Sequence, residues 1–91
     1  MSSVERLLEQ MRHSKAGWTA DDLEKVYVGL GFKYREGGKH RIYFHPVYRE
    51  LRATVTRSRS LPKSYVDHAL DLADRLKKLE TKNEKNSKEN N

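Results

Sequence analysis

Phe32-Lys33-Tyr34-Arg35-Glu36-Gly37-Gly38-Lys39-His40-Arg41-Ile42-Tyr43-Phe44-His45-Pro46 is the stretch whose reading decides the fold. Gly37-Gly38 separates two runs rich in aromatic and β-branched residues. Both glycines tolerate positive φ, so the pattern predicts a hairpin turning at that pair. Side chains alternate across a strand, which puts His40, Ile42 and Phe44 on one face of the second arm and Lys39, Arg41, Tyr43 and His45 on the other. The first set is expected to face the core, with His40 beside it at the turn end. A histidine half sheltered there, its ring still meeting solvent, suits a group that exchanges protons near neutral pH.

On the N-terminal side of the hairpin the period is helical. Thr19 and Asp22 form a capping box, Trp18 precedes the cap where it can staple against Leu23, and Leu23, Val26, Tyr27 and Leu30 make one face. Gly31 is placed to stop this helix in a left-handed conformation. Farther upstream, Ser2 and Glu5 make a second capping box, and Val4, Leu7, Leu8 and Met11 give a short amphipathic helix over about Ser3 to Arg12. Its stripe could lie on the domain or on another chain, including a second copy in a homodimer.

On the C-terminal side, Phe32 and Tyr34 share one face of the first strand, with Lys33 and Arg35 opposite. Pro46 to Glu50 is a longer connection, since proline cannot donate into a ladder. Leu51 to Arg57 alternates again, with Leu51, Ala53 and Val55 inward. Short connections favour an antiparallel meander. Ser60 and Pro62 then open a last helix whose stripe is Val66, Ala69, Leu70, Ala73, Leu76 and Leu79. The expected organisation is residues 1–17 as a helix and linker, 18–79 as an α+β domain, and 80–91 as a disordered polar tail. The order α-β-β-β-α, with the extra helix in front, describes a three-stranded antiparallel sheet covered on one face by helices and open on the other.

Composition narrows the class of protein. Ninety-one residues, 35% of them hydrophobic and 35% charged, allow one small two-layer core. There is no cysteine, which removes disulfides, thiolate metal sites and thiol nucleophiles. With no signal pattern and no apolar run of spanning length, a soluble cytoplasmic protein without membrane contact is expected. The four histidines are scattered, so no metal site or other cofactor is expected.

The net charge of +6 is unevenly placed. Residues 1–31 carry four basic and five acidic side chains (−1), residues 32–63 nine and two (+7), and residues 64–91 six and six (0). Cations gathered on the predicted sheet, with aromatics among them, are the footprint of a nucleic-acid binder. Lys33, Arg35, Lys39, Arg41, Arg52 and Arg57 are the candidate RNA- and phosphate-binding residues.

Gly31-Phe32, Arg35, Gly38-Lys39-His40-Arg41-Ile42-Tyr43-Phe44-His45-Pro46, Thr54 to Arg59 and Leu61 to Val66 together resemble the HicA toxins of bacterial HicA/HicB toxin-antitoxin systems, also called the YcfA-like family. The resemblance covers about Thr19 to Leu79. It implies a fold like that of double-stranded RNA-binding domains and metal-independent cleavage of messenger RNA. It also implies catalysis by the histidine at the position of His40, and a HicB-like antitoxin partner that covers the active site. Lys39 stands where the family has serine, Arg41 where it has a second histidine, and the helix at Ser3 to Arg12 is additional.

The chemistry can be argued without the family. Metal-free RNA cleavage needs a general base for the ribose 2′-hydroxyl, an acid for the leaving oxygen, and cations for the developing phosphorane. His40 can take the first or second role, and Lys39, Arg41 and Arg35 the third. His45 is expected on the opposite face, roughly 16 Å along the strand. His13 and His68 fall on helices as surface histidines. Two other readings fit the same residues: an RNA-binding module that cuts nothing, and a protein-interaction domain that meets an acidic partner, with His40 a satisfied structural histidine.

Overall fold

The computed structural model describes residues 3–57 and 60–89, with side chains described up to residue 82. Its elements run α1 (Ser3–His13), α2 (Ala20–Gly29), β1 (Lys33–Gly37), β2 (His40–Phe44), β3 (Arg52–Thr56) and α3 (Lys63–Glu89). The three strands form one antiparallel sheet in the order β1-β2-β3. This is the expected α+β arrangement of a three-stranded sheet flanked by helices, with α1 as the additional leading element. Among the described residues no helix is long and apolar enough to cross a membrane.

The signals that bound α2 act as expected, whereas α3 begins at Lys63, after Ser60 and Pro62, which were expected to cap it and lie in its first turn. The Thr19 side chain accepts from the Asp22 backbone N–H at 3.3 Å, and the Asp22 carboxylate accepts from the Thr19 N–H at 3.0 Å, so two otherwise orphaned donors are satisfied. Trp18 packs against the core while its indole N–H donates to the Ser14 carbonyl at 2.7 Å. Gly31 has φ +95° and ends α2, a conformation that costs a residue with a Cβ more than it costs glycine. Ser2, the cap expected for α1, lies outside the described residues, as do Ser58 and Arg59.

α1 lies on its own domain. Met11 is fully buried in the same cluster as Leu23, Val26, Tyr27, Val66 and Leu76, and Arg12 pairs with Asp74 of α3 at 2.6 Å. The α1–α2 approach is close enough that a methyl group at Gly29 would overlap the Val4 side chain. Gly29→Ala is therefore expected to destabilise the protein by about 1–3 kcal/mol in urea denaturation, against the smaller gain in helix propensity. Val4→Ala in the same chain should restore much of the loss, and additive effects would show that the two helices do not touch there.

α3 corrects the expected C-terminal end. Its stripe is buried as expected from Val66 to Leu76, with Leu72 buried as well and Leu79 partly buried. The helix was expected to fade after Leu79 into a disordered tail, yet it continues to Glu89. Residues 80–89 include five Glu and Lys after Thr81 and no Gly or Pro, so propensity favours the continued helix. Asn90 and Asn91 of the expected tail lie outside the described residues.

The centre of the core is aromatic. Tyr27 and Tyr43 stack with ring centroids 4.6 Å apart, and Phe32 tilts against Tyr27 at 5.2 Å. Burial pushes both tyrosine hydroxyls above their ordinary range. The unfolded chain releases these protons from about pH 10, where the folded chain still holds them. Stability is therefore fully present below that pH and falls as pH rises through the folded values. Urea midpoints measured across this range should drop in the wild type and drop less in Tyr27→Phe; an identical drop would assign the loss to other groups.

Candidate functional site

The sheet presents two unlike faces. Tyr43, Ala53 and Val55 are buried under the helices, and His45 is only 7% exposed just beyond β2. His40, Ile42 and Phe44 therefore point to the open face, the reverse of the orientation expected from the sequence. Alternation had separated the two sets correctly. What turns Tyr43 inward is its stack on Tyr27 and its pairing opposite Tyr34 and Ala53. The turn is also one residue later than expected. Gly37 pairs with His40, and Gly38, at φ +64°, and Lys39 form the two-residue loop, which has glycine at the first position, as a type II′ turn requires.

The open face can be read as three rows across the sheet. Gly37, His40 and Thr56 form the row at the turn, then Arg35, Ile42 and Thr54, then Lys33, Phe44 and Arg52. His40 is exposed, and Arg35 is its diagonal neighbour on the adjacent strand, within reach of a long side chain. Lys39 is exposed in the turn beside them. The structure thus brings His40, Lys33, Arg35 and Arg52 to one side, with Lys39 exposed in the turn at its end.

Arg41 and Arg57 do not join them. Arg41 is on the helix side, where its guanidinium lies 4.3 Å over the Tyr34 ring, pairs with Glu24 of α2, and contacts Glu36 at 2.6 Å. Hydrogen bonding to Tyr43 is the largest of the influences that hold it charged. Arg57 pairs with the other oxygen of Glu36. Two arginines and two glutamates are thus mutually neutralised, and these two candidate phosphate ligands are held in that network, away from His40.

His45 is built into the loop that follows β2. Its Nδ1 accepts from the Val47 and Tyr48 backbone N–H groups at 3.1 and 3.2 Å, so the neutral ring carries its proton on Nε2. The ring stands edge-on to Phe32 at 5.2 Å. The backbone closes the loop, with His45 N–H donating to Leu51 and Leu51 N–H to Tyr48. His68 sits on α3, with Nε2 2.9 Å from the Arg52 carbonyl, and His13 pairs with Glu9. His40 is therefore the one described histidine on the open face. Among the described residues no group of three or more His, Asp or Glu is placed to hold a metal ion.

The loop shaped by His45 also places a residue that sequence reasoning missed. Arg49 lines a groove of about 530 Å³ together with Lys33, Arg35, Phe44, Pro46, Arg52 and the edge of the buried His45. Its signal was available in the +7 region, but nothing in an irregular loop says which way a side chain turns. Compared with family models, curated proteins and solved structures, the chain has no match.

Proposed function

We propose that the protein is a metal-independent endoribonuclease of the HicA kind, the toxin of a toxin-antitoxin pair, which cuts messenger RNA in the cytoplasm and is held in check by a HicB-like antitoxin. The observation that carries this reading is the exposed His40 on the open face, diagonal to Arg35 and next to Lys39. In the proposed reaction the 2′-oxygen attacks the adjacent phosphorus as its proton leaves. The bond to the 5′-oxygen breaks, that oxygen takes up a proton, and a 2′,3′-cyclic phosphate remains. His40 holds one of these two protons, Arg35 and Lys39 offset the charge on the phosphorane, and water or the neighbouring Thr56 hydroxyl handles the other proton.

A second reading, an RNA-binding module without catalysis, is favoured by one observation. Of the unpaired cations along the open face, Lys33, Arg49 and Arg52 gather at the Phe44 end, away from His40. Incubating purified protein with a structured messenger RNA in EDTA, wild type beside His40→Ala, separates the two. Cleavage by the wild type alone supports the nuclease; binding without cleavage by either protein supports the module.

A further inference from the structure

We propose that the groove at the Phe44 end of the open face is a subsite for unpaired RNA, in which Phe44 stacks on a base and Lys33, Arg35, Arg49 and Arg52 hold the flanking phosphates. The inference rests on the RNA reading above and does not require His40 to be catalytic.

What distinguishes this groove is clustering, since Lys25 and Lys78 on the helices also have no ion pair among the described residues but stand apart from it. Arg12, Lys15, Arg41, Arg57 and Arg75 each contact a carboxylate. Lys33, Arg35, Arg49 and Arg52 have no ion pair among the described residues, and no acidic side chain lines the groove. Four cations left to repel one another are a standing attraction for a polyanion. The loop that brings Arg49 to the other three is held by a buried ring accepting two backbone N–H groups, so the cluster is preorganised.

The aromatic decides which polyanion. Phe44 is only partly buried, on a face that no helix covers, with cations on both flanking strands opposite it. A phenyl ring among cations suits a strand whose bases are free to stack, because every base has a π-face. In an A-form duplex those faces are hidden, and recognition relies on 2′-hydroxyls and phosphates across a shallow groove. Phe44 and His40 are four residues apart on one strand and one face, roughly 13 Å. At about 3.4 Å per stacked nucleotide, and more when splayed, that is a span of roughly two to four nucleotides. A strand anchored at Phe44 and running along β2 toward the turn reaches His40 within that span.

Fluorescence anisotropy with a short labelled RNA, 2′-O-methylated so that it cannot be cut, tests the groove against the same strand annealed into a blunt duplex. The single strand should bind about tenfold or more tightly than the duplex. Arg49→Gln should weaken binding and reduce the slope of log affinity against log salt by about 0.7. Phe44→Leu should weaken binding about five- to tenfold and leave that slope unchanged. Lys78→Gln, exposed on α3, removes the same charge elsewhere and should leave both quantities as in the wild type. If Phe44→Leu does not fold, the loop variant Arg49→Gln still carries the test. Duplex binding as tight as single-strand binding, or Arg49→Gln and Lys78→Gln indistinguishable in affinity and slope, would overturn the groove. Cleavage of unmodified RNA that is lost in His40→Ala but unchanged in the groove variants would leave the nuclease standing and reject the groove alone. Groove-dependent binding with no cleavage would support the groove and reject the nuclease.

Discussion

Under the proposed nuclease function, His40→Ala is expected to lower RNA cleavage in EDTA by about two to four orders of magnitude, the range lost when a positioned proton carrier is removed. The argument is geometric. Of the described histidines, His13 is at the end of α1, His45 is buried within the β2–β3 loop, and His68 is engaged with the Arg52 carbonyl. His40 is the exposed and unengaged histidine on the open face, whereas His45, which also borders the groove, is 7% exposed with its Nδ1 already occupied by two backbone N–H groups. Its loss leaves Lys33, Arg35, Arg49 and Arg52 in place, so RNA affinity should change little while the rate collapses. Equal cleavage by both proteins would place the activity on another residue or a contaminant. A parallel loss of affinity and rate would make His40 a binding group.

Tyr43→Ala is expected to cost about 3–5 kcal/mol of stability, against under about 1 kcal/mol for Ile42→Ala. Tyr43 is 1% exposed and stacked on Tyr27, and it also meets the Tyr34 ring at 5.7 Å. Ile42 is half-buried on the open face. A domain of this size holds roughly 5–14 kcal/mol in total, so the first change removes a large fraction of it and the second a small one. Urea denaturation of the two variants settles which row faces the helices. If Ile42→Ala were the costlier change, the faces described here would be reversed, and His40 would be drawn toward the core.

The helical signals were legible because each is local. A capping box such as Thr19 with Asp22 completes its own hydrogen bonds within four residues, and Gly31 stops α2 by backbone freedom alone. The stripe on α3 is legible for a related reason, since helical periodicity marks a face before anything packs on it. The hairpin itself follows from glycines between alternating runs, and the concentration of cations at residues 32–63 needs only counting.

The candidate site was legible in part. His40, Lys33, Arg35 and Arg52 could be picked out and do share one side, with Lys39 in the turn beside them, whereas Arg41 and Arg57 could not be told apart from them by charge. Their partners, Glu24 and Glu36, are brought by a different helix and by the other arm of the hairpin. Arg49 and Phe44 were missed because a loop direction and a face orientation are both properties of the assembled sheet.

By itself, then, the sequence determined the elements, their order, the antiparallel meander and which side chains travel together along each strand, because these depend on backbone propensity and on periods of two and 3.6. Only the tertiary structure decided which of the two alternating sets on β2 is buried. Period two is symmetric between faces, and the choice is made by contacts far apart in the chain: Tyr27 of α2 accepts Tyr43 as its stacking partner, and that contact turns His40 and Phe44 outward together.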